Sequence, residues 1–171
     1  MQTFLPLFNP RESAKVLDRQ RLGKQRVEAM QILKALNKVA LTETQVGWIN
    51  HPATKMWQGY QTGLVYYAIC MVEEWKRRGF LDTVDSFLAA NYVLDYHYAR
   101  AAYNRADSVD SLQVEGILPT WIGGPIHATH RAALLAKDPV HYGQFGWKEE
   151  PQINYFWPLK QNKGVQNGTN A

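Results

Sequence analysis

Two proline-free stretches, residues 18–37 and 53–78, constrain this chain more than anything else in it. In the first, Leu22, Ala29, Ile32, Leu33 and Leu36 share one arc of a helical wheel at about 100° per residue. In the second, Met56, Trp57, Tyr60, Leu64, Tyr67 and Met71 recur at spacings of one to four. Each pattern buries one face of a long helix and fits no strand, so the expected fold is all-α, a compact single-domain bundle of three or four main helices.

The remaining punctuation fits that frame. The arm Met1–Asn9 contains Pro6 and reads as extended; Asn9-Pro10-Arg11-Glu12 then opens a helix, with an Asn cap and Pro at the first position. Asp18 begins the first long helix or continues that short one. A polar connector over 38–50 leads to His51-Pro52, and Gly79 closes the second long helix just after Lys76-Arg77-Arg78, charges suited to a helix C-terminus. Residues 85–105 are expected to form one more helix and 107–116 a loop. Pro119, Gly123, Gly124 and Pro125 mark a turn, and a short helix over 126–137 ends at Asp138-Pro139. An irregular, aromatic-rich segment through Pro158 should pack back on the helices. The expected domain covers 1–160, and 161–171, rich in Asn, Gln and Gly, reads as a disordered tail.

Composition narrows the function classes. A single cysteine, Cys70, excludes an internal disulfide framework and a thiolate zinc cluster. No apolar run reaches the roughly 18 residues of a membrane span, and no signal-peptide pattern opens the chain, so no membrane is expected as a partner and the cytoplasm is the expected compartment. A net charge of +4 and 12% aromatic residues lean toward a polyanionic partner. His127 and His130 stand one helical turn apart, but no acidic or cysteine ligand lies at matching spacing, so neither a metal nor another cofactor is expected.

The first long helix carries the candidate chemistry. Arg21, Lys24, Glu28 and Gln31 gather on one face with Gln20 beside them, whereas Arg26 projects away. A lone carboxylate among cations can bind phosphates while keeping an acid beside a reacting sugar. A solvated face laced by i,i+4 ion pairs has the same pattern, and wheel geometry does not separate the two.

Resemblance does. Leu17-Asp18-Arg19-Gln20-Arg21-Leu22 followed by Glu28-Ala29 resembles the pyrimidine-dimer DNA glycosylase family of the phage endonuclease V type, in which a Gln-x-Leu element precedes the catalytic glutamate. Glu74 to Phe80 is similar to the family's basic-Gly-Phe helix end, and His130 to Leu135 with His141-Tyr142 to its last helix and aromatic tail; residues 91–118 read as an insertion. The resemblance implies a base-excision reaction on double-stranded DNA. An amine attacks C1′, the base leaves, a Schiff base forms and β-elimination nicks the strand, with Glu28 as the catalytic acid. Arg21, Lys24, Arg26, Gln31, His130 and Arg131 become the expected DNA contacts.

The chain departs from the pattern at its start. The family's nucleophile is the α-amine of a threonine exposed by loss of Met, whereas this chain begins Met1-Gln2 and its arm is longer, which calls into question the reach of the amine. Met1 and Lys24 are therefore both candidate amines. Val27 and Gln31 stand where the family has arginines, and a binding module that kept the scaffold and lost the amine is the competing class.

Overall fold

The computed structural model describes residues 1–42 and 48–158, and all regular structure among them is helical. Helix α1 (Pro10–Val16) starts where Asn9 Oδ1 accepts the Arg11 N–H at 2.8 Å. Helix α2 (Arg19–Thr42) starts at Asp18, whose Oδ1 accepts the Arg21 N–H at 3.0 Å, and runs past Asn37. Its apolar arc, Leu22, Ala29, Ile32, Leu33 and Leu36, is buried.

The second long stretch is two helices rather than one: α3 (Pro52–Met56) and α4 (Gln61–Arg77). Gly59, at φ +84°, turns the chain between them, a conformation a side chain disfavours. The turn lets Trp57 sink fully into the core. Residues 63–72 of α4 are buried all round, the mark of a central helix, and α4 packs against α1, α2 and α6 (Val93–Arg105).

The expected helix over 85–105 is likewise divided, into α5 (Val84–Asn91) and α6. No glycine or proline marks the break. It falls at Tyr92, whose buried ring packs beside Phe87, so tertiary packing overrides local propensity there. The expected loop over 107–116 contains a short helix, α7 (Val109–Val114), capped by Ser108 and held by buried Val109 and Leu112. Helix α8 (Ile126–Lys137) has the expected bounds, and α9 (Pro139–Gly143) follows Asp138.

The segment 144–158 has no helix, and Phe145, Trp147, Tyr155 and Trp157 pack against the core that the helices share. The expected tail over 161–171 and part of the connector, 43–47, lie outside the described residues. No helix among the described residues is long and apolar enough to cross a membrane.

Candidate active site around Glu28

The site is made by laying the N-terminal arm across α2. Residues 1–5 form an extended strap whose polar groups are taken up one after another by buried side chains. Thr3 Oγ1 accepts the Trp57 indole N–H at 2.9 Å. The Phe4 N–H donates to Gln25 Oε1 at 2.7 Å, and the Tyr67 hydroxyl lies 2.7 Å from that oxygen and 3.0 Å from the Phe4 carbonyl. The Leu5 N–H donates to His130 Nδ1 at 2.8 Å, and the Leu5 carbonyl accepts from His127 Nδ1 at 2.7 Å.

The strap ends at the carboxylate. Glu28 Oε2 accepts the Gln2 N–H and a Gln25 Nε2–H, both at 3.1 Å. Met1 lies one residue further, at most about 3.6 Å along the chain, so its nitrogen is within roughly 7 Å of Glu28. The longer arm therefore brings residue 1 to the carboxylate rather than keeping it away. Together Met1, Gln2, Gln25 and Glu28 line a concavity of about 300 Å³, closed by Arg21, Lys24, Lys137 and the ring of Tyr155.

Electrostatics around the carboxylate follow from burial and charge. Burial, with the Glu28 charge as the next cause, pushes the Tyr67 phenol well above its usual range and keeps it a neutral donor. His51 Nδ1 caps α3 by accepting the Ala53 N–H, and its imidazole is lowered, mainly by burial and then by the positive chain terminus, with Glu28 pulling the other way. Arg21 is held by Asp18 at 2.7 Å, and Asp18 in turn accepts the Tyr142 hydroxyl at 2.5 Å. Burial alone would raise the Asp18 carboxyl; the hydrogen bonds from Arg21 and Tyr142 outweigh it and hold it below the usual range.

A second, broader depression of about 870 Å³ lies along α2, and Gln20, Lys24 and Glu28 border both. Trp75 forms its far wall. Gly23 permits that approach, because a Cβ there would stand 3.1 Å from the Trp75 ring. Lys24 is exposed and has no ion pair among the described residues, and Gln31 is exposed on the same side.

Three expected DNA contacts are placed otherwise. His130 is fully buried, so it meets the strap and not a surface. Arg131 donates to the Pro6 carbonyl at 2.8 Å and pairs with Glu149 at 2.6 Å. Arg26 borders the broad depression but pairs with Asp82 and stacks on Trp75, leaving its side chain 11% exposed. Each is committed to holding the chain together. His127 likewise spends both ring nitrogens on backbone, and no group of three metal-ligating side chains occurs among the described residues.

Sequence reasoning missed Gln2, Gln25, Lys137 and Tyr155. Gln25 left a legible trace, because it is a polar residue on the apolar arc between Leu22 and Ala29, where a buried amide must find partners. The others join the site only through the fold.

No curated protein and no solved structure matches the chain. The sequence profile of the pyrimidine dimer DNA glycosylase family matches residues 1–87, just over half of the chain, spanning the strap, α1 to α4 and Glu28. The chain belongs to the pyrimidine dimer DNA glycosylase family.

Proposed function

We propose that the protein excises pyrimidine dimers from double-stranded DNA through a covalent amine intermediate, with Glu28 as the catalytic acid–base and the α-amine of Met1 as the nucleophile. The observation that carries this reading is the hydrogen bond from Gln2 N–H to Glu28, which delivers the start of the chain into the same concavity as the carboxylate.

The chemistry follows from that juxtaposition. A neutral amine attacks C1′ of the 5′ nucleotide of the dimer, the C1′–N1 bond breaks, and the base takes the electron pair and a proton while staying tethered to its 3′ neighbour through the cyclobutane ring. Loss of an amine proton and opening of the sugar ring give a Schiff base. Glu28, with one oxygen already engaged by Gln2 and Gln25, accepts and returns protons at the sugar and opposes the positive charge of the iminium. Proton abstraction at C2′ then expels the 3′ phosphate by β-elimination, which is the lyase step. Lys24 and Lys137, which line the concavity without an ion pair among the described residues, hold flanking phosphates, so binding is salt-sensitive and tolerant of sequence. An extruded base costs least where pairing is already damaged.

Lys24 is the competing amine, since it lines the same concavity. Borohydride trapping with a duplex carrying a cyclobutane pyrimidine dimer, followed by mass mapping, separates the cases. An adduct on Met1 is expected. An adduct on Lys24 transfers the nucleophilic role to that residue. An alkali-labile abasic site with no adduct overturns the amine mechanism, and neither product leaves a DNA-binding role only.

A further inference from the structure

One residue of the strap is gripped twice from the far end of the chain. Leu5 gives its N–H to His130 Nδ1 at 2.8 Å and its carbonyl to His127 Nδ1 at 2.7 Å, and the two histidines sit one turn apart on α8. The grip requires two different tautomers. His127 Nε2 accepts the Gly123 N–H at 2.9 Å, so its proton is on Nδ1 and points at the Leu5 carbonyl. His130 Nδ1 is an acceptor, so its proton is on Nε2, an atom that is buried without a partner. Burial holds His130 down at about 3, and His127 is lowered for the same reason, so both rings are neutral at working pH. An unpartnered buried N–H costs free energy, which the hydrogen bond that Nδ1 accepts from Leu5 offsets in part.

We infer that His127 and His130 are positioning residues for the reaction: by clamping both polar groups of Leu5 they set the register of the strap, so that Gln2 meets Glu28 and residue 1 enters the concavity. The inference rests on the amine mechanism proposed above. It also gives the second half of the chain, beyond the residues shared with the family profile, a part in the first half's chemistry. A slip of one strap residue moves the amine by about 3.5 Å, far more than the roughly 1 Å displacement that already costs about 100-fold in rate.

The test compares His130→Leu, which removes the acceptor, with His130→Asn, whose Oδ1 can stand in for Nδ1. The readouts are borohydride-trapped adduct in a single turnover, affinity for uncleaved lesion duplex, and Tm. His130→Leu should lower the trapping rate about 100-fold with little change in DNA affinity, and His130→Asn should recover about tenfold of that loss. A His130→Leu protein that folds and traps at the wild-type rate overturns the inference, as does equal loss in the Leu and Asn variants. Wild-type protein that forms no adduct overturns the amine mechanism instead, and the positioning role with it. Should His130→Leu fail to fold, the wild type decides through its ring ¹⁵N shifts. Nε2–H on His130, Nδ1–H on His127 and a slowly exchanging Leu5 amide support the clamp, and either opposite tautomer overturns it.

Discussion

Where α4 meets α6, cations are matched by carboxylates. Arg100 pairs with Glu73 at 2.7 Å and Asp85 at 2.6 Å, and Lys76 pairs with Asp85 at 2.6 Å. Burial opposes the Arg100 charge, yet its hydrogen bonds and neighbouring acids raise its pKa further. At the Glu28 concavity the same residue types stand in the opposite circumstance. Lys24 and Lys137 are exposed and have no ion pair among the described residues, and one carboxylate, Glu28, lines the same concavity. Paired charges build scaffold, and unpaired ones around a lone acid leave a field for a polyanion. Net charge alone could not separate these two uses.

The sharpest way to break the comparison is Glu28→Gln. The substitution keeps the size and an acceptor for the Gln2 amide but removes the acid–base function. Single-turnover cleavage of the glycosidic bond in dimer-bearing duplex should fall by about 10³-fold, with DNA affinity near wild type. Cleavage at the wild-type rate would place Glu28 with the scaffold carboxylates.

Titration separates the two regions by pH window, since both lose stability on acidification. The strap side depends on neutral imidazoles. His130 is held at about 3 against a usual 6.5, and His127 is also lowered, so the unfolded chain binds more protons than the folded one as pH falls below about 6.5. Stability from these two groups is complete above that pH and is lost on acidification, at up to about 1.4 kcal/mol per pH unit for each group. The α4–α6 corner depends on ionised carboxylates. Burial works against Asp85, but bonds from Lys76 and Tyr96 and the Arg100 charge hold it below its usual range. Its contribution is therefore kept until the pH falls through the carboxylate range, below about 4. Urea unfolding between pH 7 and 4 should show a decline, and His130→Asn should flatten it by one proton. A pH-independent midpoint over that range removes the buried neutral pair.

Arg100→Met tests the scaffold side alone. It leaves Glu73 and Asp85 sharing only Lys76, with the new side chain filling the space of the aliphatic stem. A loss of about 2 kcal/mol in stability is expected, discounted because the guanidinium retains some solvent contact. Activity per folded molecule should be unchanged. A fall in glycosidic cleavage at full folding would mean that the corner is coupled to the site.

How much of this was legible follows the range of the interactions. The buried arc of α2, the Asn9 cap and the bounds of α8 are set by residues within a turn or two, and periodicity and capping reveal them. The breaks at Gly59 and Tyr92 depend on where Trp57 and the Tyr92 ring find room in the core, which no local pattern encodes. The face that carries Glu28 was readable because its members share one helix, and the resemblance rather than the wheel singled out the carboxylate. The arrival of Met1 and Gln2 was not, since the clamp that steers them joins Leu5 to His130 across 125 positions of sequence. The same contact explains why His130, expected from the resemblance to touch DNA, is buried instead: the arm covers it.

The finest discrimination between the regions is in salt dependence. Lys24→Met and Lys137→Met each remove one cation from the rim of the concavity, whereas Lys76→Met removes one already matched by Asp85 and Glu73. A phosphate contact releases a counterion from duplex DNA, so each of the first two should lower the slope of log K against log salt by about 0.9, with a uniform loss of affinity across sequences. Lys76→Met should leave the slope unaltered, because a cation matched by two carboxylates displaces no counterion from DNA. If all three variants shift the slope alike, DNA lies across both regions and pairing does not mark the scaffold. If none does, the two lysines at the rim touch no phosphate, and the electrostatic half of the site must be sought along the broad depression bordered by Arg19 and Gln31.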